Sequence, residues 1–146
     1  MPRYVLIVDF QPGVSETPME EWKPEEVTAH LDYYKALTRE LVASGEQVES
    51  EVLAPPNLAK IVTSDGTRSV ITDGPFQEIK EWVAGYKIVD VDSEERALEI
   101  AARLSAVPGE DGVPTQQPIH VRPLMESAPP DAGAMLEYLQ QAGDGR

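Results

Sequence analysis

Apolar residues in this chain alternate between a two-residue and a 3.6-residue spacing, and the order of the two spacings leaves few folds open. Residues 4–8, Tyr-Val-Leu-Ile-Val, form a β-branched run closed by Asp9 and read as a strand buried on both faces, central in its sheet. Pro24, Glu25 and Glu26 then suit the first turn of a helix: proline has no N–H to leave unpaired there, and the dipole favours acids. Val27, Leu31, Tyr34, Leu37 and Leu41 follow at helical spacing, and Gly45 is a natural stop. Residues 48–53 begin by alternating and end at Pro55-Pro56-Asn57, which predicts a half-solvated strand. Residues 59–63 and 68–72 flank Ser64-Asp65-Gly66-Thr67, whose Asp-Gly marks a hairpin.

After a turn at residues 73–76 and a charged stretch at 77–82, residues 85–91 alternate again as a strand. Asp92 with Glu95 reads as an N-terminal capping box for a second helix. Its apolar stripe is Ala97, Leu98, Ile100, Ala101 and Leu104, and Pro108-Gly109 prevents it from extending far. Residues 119–124 supply the last strand. With the central hairpin set aside, the order is β-α-β-β-α-β, an α+β pattern of the ferredoxin-like kind: one antiparallel sheet with both helices on one face and an inserted hairpin. The other sheet face then needs cover. Ile88 and Val121 pointing there would favour face-to-face association, so a homodimer is expected. The Pro/Gly/Asp-rich residues 107–118 read as a loop within one domain, residues 1–126. The tail, 127–146, carries Ala134, Met135, Leu136, Tyr138 and Leu139, enough for a short helix that docks on a partner.

At 146 residues and 41% apolar, the chain can bury one core but not two. Twelve basic against twenty-six acidic residues leave a net charge of −14. The basic residues are scattered, so nucleic acid and anionic lipid are not expected as partners. Without cysteine there is no disulfide framework, thiolate nucleophile or Cys-ligated metal. That absence fits a reducing cytoplasm, and the N-terminus lacks the long apolar region of a signal peptide. No apolar run approaches the roughly 18–20 residues a membrane span requires. The expected location is cytoplasmic.

The N-terminal strand, the Pro-Pro after the second strand, the Asp-Gly hairpin and above all Thr72-Asp73-Gly74-Pro75-Phe76, followed by Glu78, Lys80-Glu81 and Gly85, resemble the YCII-related family of DGPF type. The helix at 94–104 and the closing Val121-Arg122-Pro123-Leu124 fit as well, so the likeness covers roughly residues 1–126. The resemblance implies a ferredoxin-like fold related to dimeric α+β barrels, with a pocket between sheet and helices. In that pocket an Asp, sometimes paired with a His, has been proposed as catalytic. It also implies a regulatory or sensing role as the competitor to enzymology, since some members occur beside or fused to sigma factors. No general reaction comes with the family.

Asp73 ends a strand before Gly-Pro, where its carboxylate either caps the turn's N–H groups or projects into a cleft beside Phe76. Partial desolvation in such a cleft would suit an Asp to acid/base work. His30 lies one turn after Val27 at the margin of the helix's buried face, a position open to a proton shuttle or a structural imidazole. If the two meet, the carboxylate would orient the imidazole as a base. His120 alternates with Ile119 and Val121 and should face away from them, toward solvent or a dimer interface. Two histidines with no His-x-x-x-His spacing predict no metal site. Tyr4, Phe76 and Trp82 are expected to line the pocket, whereas Trp22, Tyr33 and Tyr34 are expected in the core or an interface. No Gly-x-Ser-x-Gly or phosphate loop occurs, and no cofactor is expected. The leading expectation is a small-molecule pocket with lyase- or isomerase-like proton transfer through Asp73 and His30. The alternative is a non-catalytic ligand-sensing or protein-interaction module linked to transcriptional regulation.

Overall fold

The computed structural model describes residues 2–9, 13–73, 83–125 and 127–144. Strand β1 (Arg3–Asp9) leads to helix α1 (Pro24–Ser44), β2 (Gln47–Val52), the hairpin strands β3 (Lys60–Ser64) and β4 (Ser69–Asp73), β5 (Val83–Asp90), α2 (Glu94–Ser105), β6 (Ile119–Pro123) and α3 (Ala132–Asp144). Four strands form one sheet in the order β2-β5-β1-β6, every neighbouring pair antiparallel, while β3 and β4 pair only with each other. This is the ferredoxin-like arrangement, with β1 inside the sheet. No helix among the described residues is long and apolar enough to cross a membrane.

Alternation along the strands sorts residues onto two faces. Tyr4 and Leu6 of β1, Val89 of β5, and Ile119 and Val121 of β6 meet Leu37 and Leu41 of α1 and Ala97, Ile100 and Leu104 of α2 in one core. Val121 pairs with Leu6 and shares its face, so it does not join Ile88 on the outer side as expected. Ile88 does stand there, opposite Val5 and Glu49. The outer face also carries Ile7, Tyr86 and His120.

Local chemistry explains the element ends, with two departures from expectation. Pro24 opens α1 while the Lys23 N–H donates to Glu26 Oε1 at 2.8 Å, and Gly45 closes the helix at φ 81°, a left-handed conformation that costs glycine little. The cap of α2 is Ser93, not Asp92: its Oγ accepts from the Arg96 N–H at 3.2 Å, and the helix starts at Glu94. Along α1 the buried residues are His30, Leu37 and Leu41, whereas Leu31 is 47% exposed. The buried stripe is therefore set by 30, 34, 37 and 41, one position off the register that Leu31 suggests, and His30 lies within it instead of at its margin. Gly85 is required by proximity: a Cβ there would come within 2.9 Å of the Glu51 carbonyl oxygen on β2.

Lys87 points from β5 into the helix-covered side and is 8% exposed. Its three donors meet Gln47 Oε1 at 2.9 Å and the hydroxyls of Thr38 and Ser50 at 3.2 Å each, all neutral acceptors. Hydrogen bonding is satisfied but charge is not balanced, so burial pulls the ammonium's pKa below its ordinary value. Closer to the surface, Glu46 receives Arg96 through two bonds of 2.8 and 3.0 Å, and Arg103 reaches Glu40 on α1 at 2.9 and 2.5 Å, tying α2 to the rest of the helical layer.

Two outcomes are expected in urea titrations. Leu6→Ala should lower the unfolding free energy by about 2–5 kcal/mol by leaving a core cavity, whereas Leu31→Ala should change it by no more than about 0.5 kcal/mol. A depressed lysine pKa means that the unfolded chain binds its proton more readily than the folded chain. The Lys87 contribution to stability should then grow as pH rises through the lowered folded value toward the unfolded 10.5 and shrink as pH falls again. Wild type should gain on Lys87→Met over that alkaline window, and a constant gap between the two would refute the assignment.

Candidate functional site

Because β1 and β6 run antiparallel, the C-terminal end of one meets the N-terminal end of the other, with Ile7 opposite His120 and Val8 opposite Ile119. Asp9 has the same parity as Ile7, so its carboxylate lies diagonally beside His120 on the outer sheet face. Asp9 Oδ2 is 2.9 Å from His120 Nε2, with side-chain exposures of 9% and 48%. A buried carboxylate is expensive to desolvate and needs a donor. Here the imidazole of His120 stands at ion-pair distance from that carboxylate. The pair thus sets a sheltered carboxylate against a half-exposed imidazole.

A register shift between Val8 and Asp9 sets Asp9 opposite Val83, the first residue of β5. Val83 is also a wall of an open apolar groove of about 210 Å³ that includes Leu53, Pro55, Pro56 and Leu58. Leu53 is held in place by its N–H, which donates to the Ala84 carbonyl at 2.9 Å. The groove and the Asp9–His120 pair therefore share one end of the sheet, joined through Val83. No group of three or more His, Asp or Glu side chains among the described residues converges as a metal ion would require.

The residues singled out by sequence are placed elsewhere. Asp73 ends β4 with its side chain 80% exposed and receives Lys60 Nζ at 2.5 Å. His30 is 7% exposed, and its Nδ1 donates to the Pro108 carbonyl at 2.8 Å, between the edge-on rings of Trp22 and Tyr34 at centroid distances of 5.5 and 5.0 Å. Burial raises the Tyr34 phenol pKa. The structure gives Asp73 and His30 separate partners and does not bring them together. His30 instead fastens α1 to the loop after α2, where Ser15 Oγ also donates to Glu110 Oε2 at 2.8 Å and the Val14 N–H to the Thr115 carbonyl at 2.9 Å. Tyr4 packs against the core and is not in the groove wall. Phe76 and Trp82 lie outside the described residues. Tyr33 donates its hydroxyl to the Arg103 carbonyl at 2.7 Å.

Sequence reasoning had both members of the pair in view but did not join them. Asp9 was the polar end of an apolar run, and His120 was expected to face outward, which it does. The missing step was topological: a β-α-β-β-α-β order places the last strand beside the first, so the end of β1 must meet the start of β6.

A family model for the YCII-related domain matches residues 2–120, from the residue before β1 to the histidine of the pair. An uncharacterised protein from Rhizobium meliloti is 28% identical over 109 residues, a span covering 75% of this chain and 84% of that protein.

Proposed function

The chain belongs to the YCII-related domain family, and from that premise we propose that it binds a small molecule at the open end of the sheet and moves a proton on it through Asp9 and His120. The observation that supports this reading is the buried Asp9 carboxylate 2.9 Å from a half-exposed imidazole. In this reading His120 is the general acid/base, and the Asp9 carboxylate beside it orients the ring and favours its protonated form. The groove beside Val83 receives an apolar part of the substrate, which positions an acidic C–H or O–H against the ring. Proton abstraction and return at one carbon is the elementary step of isomerase and lyase chemistry, and it needs no nucleophile. The acidic field of a chain with net charge −14 disfavours polyphosphorylated substrates.

A ligand-sensing or protein-interaction module linked to transcriptional regulation is the second reading. A different observation favours it: Val62 and Ile71 of the hairpin are 61% and 64% exposed, and among the described residues its two strands pair only with each other.

Deuterium wash-in from D2O into a panel of small 1,3-dicarbonyl acids, followed by proton NMR, separates the two. Proton transfer predicts protein-dependent exchange into at least one member. Asp9→Asn and His120→Gln should each slow it by about 10²–10⁴-fold, while Asp73→Asn should exchange like wild type. Exchange that survives both pair substitutions would sink the assignment. No exchange anywhere in the panel, with binding still visible as amide shifts at Val83 and Leu53, would favour the sensing role.

A further inference from the structure

Strand β6 is an edge of the sheet, and Arg122 stands on its outer face two residues beyond His120, opposite Val5 of β1. Register fixes its neighbours on that face. Val5 is directly across, Ile7 and Arg3 lie on the diagonals, and His120 and Leu124 precede and follow it at the two-residue spacing of a strand. None of these is an acid. Arg122 is exposed and has no ion-pair partner among the described residues. The acids of the same face are placed elsewhere: Asp9 against His120, Asp90 on β5 across from Arg3, and Glu49 and Glu51 on β2 at the opposite edge. With Asp9 set against His120 and Asp90 against Arg3, the positive charge left over at this edge is that of Arg122.

Other cations of the chain are used differently. Arg96 and Arg103 each close on a glutamate through two bonds, and Lys60 closes on Asp73. Arg39 and Arg68 also lack an ion pair among the described residues, but they lie on α1 and at the hairpin turn, away from the Asp9–His120 pair. The place of Arg122 is what gives it a use. Two residues of strand put it about 7 Å from His120 along β6. Arg122, His120 and then Asp9 with Val83 follow one another along the sheet, over a floor of half-buried Val5 and Ile7, and the apolar groove lies at the far end. A molecule with a carboxylate at one end, an acidic C–H beside it and an apolar group beyond has the same order of parts. The planar fork of a guanidinium fits a carboxylate through two parallel hydrogen bonds. It also balances the charge that would otherwise oppose taking a proton from an anion.

We propose that Arg122 is the anion-binding residue of this site and that its ligand is a small organic acid, held by its carboxylate, with the acidic carbon at His120 and the apolar end toward Val83. Only the position of the acidic carbon rests on the proton-transfer reading. The carboxylate contact stands on the register and charge of β6 alone.

Benzoylacetate and its neutral counterpart benzoylacetamide test the contact, in titrations of the full-length chain followed by backbone N–H chemical shifts. The acid should move the Val5, Val121 and Arg122 signals saturably and bind at least about tenfold more tightly than the carboxamide, the scale of a charge-assisted hydrogen bond. Arg122→Gln should abolish that preference by weakening the acid alone. Arg122→Lys should restore part of it, because an ammonium keeps the charge but not the fork. Both changes fall on an exposed side chain at the sheet edge, so far-UV circular dichroism should remain that of the folded chain. Asp9→Asn and His120→Gln should slow deuterium exchange into benzoylacetate while the acid stays preferred over the carboxamide. Equal binding of the two probes by wild type, binding of neither, or a preference that survives Arg122→Gln overturns the inference, whatever the exchange experiment gives. Arg122-dependent binding of the acid without deuterium exchange upholds the carboxylate site and counts against the proton-transfer reading.

Discussion

Antiparallel pairing of β1 with β5 on one side and β6 on the other is the constraint on which the rest of the molecule depends. It buries Leu6 and Val89 completely against the helices. In the same stroke it turns Ile7, Asp9 and His120 to the opposite face and brings them together at one end. Core and candidate site are therefore two consequences of one register. A slip of one residue in β1 would expose Leu6 and separate Asp9 from His120 at the same time, so the pressure to keep the core also keeps the pair.

Three buried polar groups illustrate how the fold treats desolvation. Lys87 is satisfied by three neutral oxygens and balanced by no charge, which makes it a rigid tether between β5, β2 and α1 at a cost in ionisation. His30 is satisfied by the Pro108 carbonyl and enclosed by rings, a role that needs neither charge nor access to solvent. Asp9 alone is buried against a partner that reaches solvent. Only the third arrangement connects a sheltered charge to the outside, and that difference separates a candidate for chemistry from two structural fastenings.

Much of the fold was legible because it rests on local signals. Pro24 and Gly45 bound α1, Asp65-Gly66 turns the hairpin, with the Thr67 and Arg68 amides donating to the Asp65 carboxylate at 2.9 and 2.8 Å, and the spacing of Ala97, Ile100, Ala101 and Leu104 marks the buried side of α2. The site was less legible, because contacts between distant residues depend on register. Asp73 drew notice through its turn, yet its carboxylate lies on the exposed hairpin beside Lys60. Leu31 suggested a helix face that His30 in fact occupies, since apolar character alone cannot choose between neighbouring rotations of a helix whose hydrophobic stripe is interrupted.

Strands β2 and β5 are adjacent and antiparallel in the sheet, so a tight turn would suffice to connect Val52 to Val83. The chain instead runs through residues 53–82, making a groove wall and a hairpin before it returns. The sheet thus imposes no length on this excursion, and among its described residues none belongs to the core. The four-stranded scaffold is held by its own packing against α1 and α2, so a change of length or composition in the β3–β4 hairpin costs the fold beneath it little.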